Sequence, residues 1–514
     1  MGRLPWPGII AAAVVLALIV VPVATVLIWA EPSGGFRPGD WAAIRFTLMQ
    51  AALSALISVG LAIPLARALA RRRFPGRSLL ITLLGAPFIL PVIVAILGLI
   101  SIFGQNGLIS WLLGLVGLPP IQIYGLHGVL LAHVFFNLPL ATRLLLQGWQ
   151  EIPAEHHRLA ASLGFSSSDV QRHLEWPMLK RLAPGAVLVI FLICTTSFAV
   201  ALALGGGPAS TTIELAIYQA FRFEFDLGKA ALLGVVQFVI AGAAAALAYG
   251  LAARAEPMAR LDRDTPGLAP ERAALRLQDH CVIATAAAFL LLPLASILWA
   301  GLADLGSLPA SVFAALLRSV TVALCATGLT LALALALRTW AARARFGSVL
   351  EAIGYLSVAA SPLVIGTGLF ILVFPLVDPV ALALPVIIVV NAIMALPFAL
   401  RAVLPALRQI EADYGRLSAS LGLSGWAKMR LVVLPRLRRP LGFAGGLAAA
   451  LSMGDLGVVA LFADPRQATL PMELFRLMSA YRTEHAAGAG LVLLAASLAF
   501  FWVFDRWGRG NANA

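Results

Sequence analysis

Charge is scarce in this chain. Only 12% of its 514 residues are Asp, Glu, Lys or Arg, where a soluble domain carries roughly 25%. That shortage excludes a single soluble core of this length. With 61% hydrophobic residues and a mean hydropathy of +0.94, the chain uses lipid as solvent. Cysteine is rarer still. Cys194, Cys281 and Cys325 each sit in an apolar run, which excludes a disulfide framework or a thiolate metal site and leaves small buried hydrophobes. No G-x-x-x-x-G-K-[ST] loop occurs, so the chain lacks the usual cradle for nucleotide phosphates. No nucleophile–base constellation is legible either. His127 and His133, six residues apart, do not share a helix face, and no metal site is expected.

Long apolar runs are what the chain does have. At about 20 residues per span, it reads as twelve transmembrane helices: 9–30, 46–70, 79–103, 125–147, 183–204, 230–253, 280–301, 317–337, 349–373, 383–405, 438–462 and 485–505. The first run is too long for a signal core and lacks a clear cleavage site, so it is kept as a helix. With both termini cytoplasmic, 29 of the 37 Lys and Arg residues fall in inside segments, as the positive-inside rule demands. The net charge of +13 then faces anionic membrane lipid and whatever docks there, and no nucleic-acid partner is needed to explain it. The expected fold is an all-α polytopic membrane protein.

The chain also repeats itself. "RLAASLGFSSSDVQRHLEWP" (158–177) returns as "RLSASLGLSGWAKMRLVVLP" (416–435), identical at nine of twenty positions. The offset of 258 also relates Pro139 to Pro397, Arg143 to Arg401 and Ile152 to Ile410. Farther upstream it becomes 271 or 272, as in Pro91 and Pro362 or Phe74 and Phe346. Six spans per half is an even number, so the two halves are parallel repeats related by an axis along the membrane normal. We therefore expect a first repeat at 1–253, a Pro- and charge-rich cytoplasmic linker at 254–279 and a second repeat at 280–514.

The repeated segment falls in equivalent cytoplasmic loops, 148–182 and 406–437. Pro153 and Glu155 are helix-starting residues and Gly164 a helix stop, which predicts about three helical turns between them. The second copy spans about Glu411 to Gly422. There Tyr414, Leu417 and Leu421 form one apolar stripe, matched by His156, Leu159 and Leu163. Ser166 with Asp169, and Ser424, start a further helix. Pro177 and Pro435 mark the turn back into the membrane. Two such protrusions at one topological place suit a partner with twofold symmetry.

A glycine followed about thirteen residues later by Leu-Pro or similar resembles the "EAA" loop of ABC-importer permeases. "LLAHVFFNLPLATRLLLQ", "LGGGPASTTIELAIYQA", "RRRFPGRSLL" and "SMGDLGVVALF", with the fused double layout, are similar to the thiamine-transport permeases of that family, the ferric-iron permeases being the nearest alternative. The resemblance covers almost the whole chain. It implies the type I ABC importer permease fold in the bacterial inner membrane, with each short helix coupling to one of two ATPase subunits. The ATP and Mg would be held by those subunits, this chain needing no cofactor of its own. A periplasmic thiamine-binding protein would deliver thiamine or its phosphates. The coupling residues carried over are Arg158, Leu159, Ala160, Leu163, Gly164 and Pro177, then Tyr414, Arg416, Leu417, Leu421, Gly422 and Pro435. The chain departs from the family where the acidic residue of the motif is replaced by Arg158 and Arg416; a guanidinium there suits an acidic groove on the partner.

Polar groups inside a membrane are pathway candidates by default. Asp455 either faces a cation in the passage, pairs with a basic group or backbone amide in the bundle, or sits near the outer interface. Its counterpart at the 258 offset is Ser197. Asn137 and Asn391 lie near equivalent places and either bond between helices or touch substrate. Glu214 and Glu473 follow outer loops, where they either face a delivering protein or stand in solvent. Phe135, Phe136 and Trp176 are read as packing or interface anchors. An ion-driven transporter is the reading outside the family. It needs intramembrane ion sites, and buried acids are nearly absent.

Overall fold

The computed structural model describes residues 6–30, 35–85, 89–252, 273–341, 360–378, 381–462 and 467–510. Among them all regular structure is helical. Lipid offers the backbone no hydrogen-bond partners, so each crossing segment must satisfy its own amides. Among the described residues eleven helices are long and apolar enough to cross a membrane. The ninth expected span, 349–373, is represented by the shorter Pro362–Val373, and its first part, 349–359, lies outside the described residues.

In chain order the first-half helices are α1 (Trp6–Trp29), α2 (Pro38–Arg71), α3 (Arg77–Leu83), α4 (Val92–Phe103), α5 (Leu108–Leu115), α6 (Leu126–Glu151), α7 (Ala154–Ser162), α8 (Ser167–Val170), α9 (Trp176–Thr195), α10 (Phe198–Leu204), α11 (Ile213–Gln219) and α12 (Leu227–Ala252). The second half has α13 (Ala273–Asp304), α14 (Ala310–Ala341), α15 (Pro362–Val373), α16 (Ala383–Ser420), α17 (Gly425–Lys428), α18 (Leu434–Met453), α19 (Gly457–Phe462), α20 (Leu470–Ser479) and α21 (Thr483–Arg509). Of the expected linker, 254–272 lies outside the described residues, as do Phe346 and Arg466. Residues 273–279 form the first turns of α13 instead.

Two expected spans are interrupted, at matching places. The span expected over 183–204 ends as α9 at Thr195 and restarts at Phe198, and the one over 438–462 ends at Met453 and restarts at Gly457. Such breaks free backbone groups that the surrounding protein must satisfy. The 79–103 run is likewise divided, with Pro91 capping α4.

The first helix of each half packs across onto the other half. Helix α1 lies against α14 and α15, and α13 lies against α2 and α4. The closest approaches are reciprocal. A Cβ on Gly98 would stand 2.5 Å from the Pro293 carbonyl oxygen of α13, and one on Gly368 would overlap the Pro22 carbonyl of α1. Small residues let membrane helices approach to backbone contact, where dispersion is the main attraction.

The cysteines divide. Cys194 is buried, but Cys281 and Cys325 are free thiols on exposed helix faces. An apolar run in a membrane helix need not face protein; these two positions are on outward faces of α13 and α14.

Candidate functional site

The first site is the pair of repeated short helices. Helix α7 starts because Pro153, which lacks an N–H, pushes Ile152 into extended backbone (φ −66°, ψ 120°). At the equivalent position of the second half stands Glu411, which imposes no such break, so α16 runs unbroken from the membrane span through to Ser420. The expected separate second helix is thus the tail of a long one.

Both segments end alike. Gly164 (φ +70°) and Gly422 (φ +65°) take the left-handed conformation. Gly164 N–H donates to Ala161 O at 3.1 Å and Phe165 N–H to Ala160 O at 2.9 Å; Gly422 to Ala419 and Leu423 to Ser418 repeat both distances. This is a Schellman closure, which favours glycine because a Cβ is strained there. Ser166 and Asp169 form the expected capping pair, Ser166 N–H donating to Oδ2 at 2.9 Å.

Ala160 and Ser418 face inward and are buried, while Leu159, Leu163, Leu417 and Leu421 are 58%, 62%, 53% and 63% exposed. Arg158 and Arg416 are exposed beside them. Tyr414 leaves the expected stripe: it is half-buried beneath the Arg436 guanidinium, 3.8 Å from its ring centroid. Pro177 and Pro435 do not turn the chain. Each occupies the start of a helix (α9, α18) that follows directly on a π-helical turn, 171–175 and 429–433, so the path into the membrane stays helical. The missing proline N–H is accommodated at a helix start.

The two segments are anchored differently. In the first half the Glu175 carboxylate, in the π-turn, takes Arg67 Nε at 2.8 Å and Arg71 Nη2 at 3.2 Å. The counterpart of Glu175 is Val433, and there Lys428 and Glu411 pair at 2.9 Å nearer the surface. Arg72 and Asp279, at 2.6 Å, tie α2 to α13. His157 is half-buried and its pKa is held below the ordinary range, chiefly by burial and against the pull of Glu175.

The second site surrounds the helix breaks. His133 lies between Ser54 Oγ, 3.0 Å from Nδ1, and Ser197 Oγ, 2.5 Å from Nε2. Gln50 and Gln237 donate to the Cys194 and Thr195 carbonyls at 2.9 and 2.8 Å, covering backbone groups freed by the break. Asn137 donates to Cys194 Sγ at 3.2 Å, and Asn391 to Ser452 Oγ at 3.0 Å. Cys194 and Ser452 are 258 residues apart, so both amides hold the last turn before a break, as interhelical bonds. The residue equivalent to Asn391 is His133, however, and Asn137 sits one turn farther on. In the second half Asp455 Oδ1 accepts from Gly457 N–H at 3.1 Å, the backbone-amide pairing left open above. The Asn391 side chain and the Val458 and Val459 amides stand around it.

Glu214 and Glu473 are not in solvent. Both lie buried on short helices, α11 and α20. Ile213 N–H donates to Thr47 Oγ1 at 2.8 Å, and Leu470 N–H to Ser319 Oγ at 2.8 Å, an equivalent pair of bonds that seats both helices on α2 and α14. Glu473 is paired with Arg476 at 3.0 Å. Glu214 accepts from Ser361 Oγ, at the start of α15 across the interface between halves. Gln50 and Gln237 were missed from the sequence, His133 was weighed there only as a metal ligand and Glu214 only as an outer-loop residue; the 258 offset, which pairs His133 with Asn391, carried a signal for His133. Phe135 is fully buried against Phe136 and Phe289, and Trp176 is half-exposed beside Lys180.

No family model matches the chain. It is 41% identical to the thiamine transport system permease protein of Brucella abortus over 485 residues, 93% of this chain and 89% of that one. It is 39% identical to the thiamine transport system permease protein of Salmonella typhimurium, covering 97% and 96% of the two chains. A sulfate transport system permease protein of Synechococcus elongatus matches at 28% over 43% of this chain but 81% of its own. A chain of about half this length therefore aligns with less than half of it.

Proposed function

This chain belongs to the family of thiamine transport system permeases, and from that premise we infer that it is the membrane subunit of an ATP-binding-cassette importer for thiamine or its phosphates. It is a multi-pass membrane protein and forms the passage. We place it in the bacterial inner membrane with both termini cytoplasmic, as the distribution of Lys and Arg supports. A periplasmic binding protein delivers the cargo, and two separate ATPase subunits bind and hydrolyse ATP with Mg.

The observation that carries the coupling role is the pair of outward leucine edges. Leu159 with Leu163, and Leu417 with Leu421, stand exposed on equivalent helices, each closed by a left-handed glycine. Apolar edges on two equivalent helical segments, flanked by Arg158 and Arg416, fit grooves on two copies of one partner. Movement of the ATPase subunits then reaches the membrane through the π-turns and through α16. Asn137, Ser197, Asn391 and Asp455 are assigned to the pathway region, where Asn137 and Asn391 hold the interrupted helices and Ser197 and Asp455 sit at the interruptions.

The test is reconstitution with the ATPase and the binding protein, measuring ATP-dependent uptake of labelled thiamine with ferric iron as control cargo. Thiamine uptake that is lost when Gly164 and Gly422 are both replaced by valine supports cargo and coupling together. Uptake of iron in place of thiamine overturns the cargo and keeps the architecture.

A further inference from the structure

Two carboxylates stand inside the bundle with no cationic side chain paired to either among the described residues. Glu214 is 1% exposed; its Oε1 accepts from Ser361 Oγ, and its Oε2 is buried without a partner. Asp455 accepts from Gly457 N–H through Oδ1, and its Oδ2 is likewise buried without a partner. The other buried acids among the described residues are paired: Glu175 with Arg67 and Arg71, Glu473 with Arg476, Asp279 with Arg72, Asp40 with Lys229. An ionised carboxylate buried without a counter-charge costs several kcal/mol. The two exceptions therefore need a separate account.

They border one place. Ser361 caps α15, whose second residue is Leu363. A Cβ on Gly457 would lie 3.0 Å from Leu363 Cδ1, 3.8 Å from Asp455 Oδ1 and 3.9 Å from the Phe198 ring. The Phe198 backbone amide in turn stands against the Glu214 carboxylate. The Phe198 ring packs edge-on to Tyr218 at 5.3 Å, and Tyr218 lies one helical turn from Glu214 on the same face of α11. Both acids, two aromatic rings and the starts of α10, α15 and α19 thus meet where the halves face each other. The Ile213–Thr47 bond sets the depth. Thr47 is seven residues along α2 from Ser54, about 10 Å from the level of the His133 cluster.

We propose that Glu214 and Asp455, with the rings of Phe198 and Tyr218, form a station inside the membrane for an organic monocation with a planar ring. This rests on the import reading, since a thiazolium is such a cation. A cation between them favours the ionised form of both carboxylates. Each keeps one oxygen for the incoming charge, and the aromatic faces add cation–π attraction. Because one acid belongs to each half, opening the halves separates the two and releases the cation.

The experiment uses the reconstituted complex of this chain, its ATPase and its binding protein, and follows labelled thiamine uptake and ATP hydrolysis together. Glu214→Gln and Asp455→Asn are each expected to lower uptake about tenfold, the equivalent of about 1.4 kcal/mol. Binding-protein-stimulated ATP hydrolysis is expected to stay within about twofold of wild type. Glu473→Gln, a buried acid already paired with Arg476, is expected to transport as wild type. Phe198→Leu keeps the apolar volume and is expected to weaken uptake in the same direction, so the proposal does not depend on one variant folding. Variants that hydrolyse ATP and import thiamine at the wild-type rate overturn the station and leave the import reading intact. A wild-type complex that hydrolyses ATP and accumulates no thiamine overturns the import reading, and this proposal with it.

Discussion

His133 Nε2 lies 2.5 Å from Ser197 Oγ and so fastens α6 to the interruption between α9 and α10. In the second half the same two positions are Asn391 and Asp455, with Asn391 beside the Asp455 carboxylate and bonded to Ser452. The breaks are built structures, each held from the fourth span of its own half, α6 or α16.

Removing that hold should destabilise the first half. His133→Ala leaves the buried Ser54 hydroxyl without its partner, while the half-buried Ser197 hydroxyl keeps its bond to the Cys194 carbonyl. The expected cost is about 1–3 kcal/mol, read as a lower melting temperature of the purified protein in detergent. His133→Asn, the residue at the equivalent position, should retain most of the stability. An equal loss in both variants would argue that ring packing, not hydrogen bonding, matters at this site.

The crossed packing of α1 and α13 should be sensitive to a single methyl group. Gly98→Ala and Gly368→Ala each force a Cβ into a proline carbonyl of the facing helix. Overpacking of this kind costs about 1–3 kcal/mol. Gly328→Ala meets nothing within 4 Å in α14, and is expected to be neutral or to stabilise by up to about 1 kcal/mol. Thermal unfolding of the three variants side by side decides the matter.

The leucine edges should matter for assembly and not for folding. Leu159→Gln with Leu163→Gln, and Leu417→Gln with Leu421→Gln, alter side chains that are more than half exposed. Each leucine buried by a partner contributes roughly 1.5–3 kcal/mol. The expected result is loss of co-purifying ATPase with an unchanged elution profile and melting temperature of the chain itself. Retention of the ATPase by the fourfold variant would remove the coupling role from these helices.

His157 gives a pH dependence of known sign. Its folded pKa lies below the ordinary 6.5, chiefly through burial. Above that value both folded and unfolded forms are neutral there and nothing is lost. As pH falls below 6.5 the unfolded chain takes up the proton first, so stability declines toward the lower folded pKa. His157→Gln should flatten the melting-temperature profile below about pH 6.5. Glu175→Gln, which removes the attraction opposing burial, should steepen it.

The repeat was legible because it is a matter of residue identity at a constant offset, and Gly164 with Gly422 or Ser166 with Asp169 carry their conformations locally. Span positions were legible for the same reason, since lipid imposes a length and polarity on each helix independently of its neighbours. The continuous α16 was also within reach: Glu411 replaces Pro153, and without a proline nothing stops the helix. The helix breaks were not legible. "CTTSFAV" and "SMGDLGV" are apolar enough to read as unbroken, and the groups that satisfy the opened backbone, Gln50 and Gln237, come from other helices.

What the sequence determined by itself is a polytopic all-helical chain in two similar halves, each with a basic helical segment closed by glycine. Hydropathy, offset and left-handed glycine positions are properties of a segment and its immediate neighbours. Only the tertiary structure decided that α1 and α13 each pack on the opposite half as well as on their own, that Glu214 lies buried and not in an outer loop, and that it meets Ser361 while Ile213 meets Thr47. Those partners are 147 and 166 residues apart in the chain. A buried polar group is satisfied by whatever folding brings beside it, and periodicity along one helix holds no record of that neighbour.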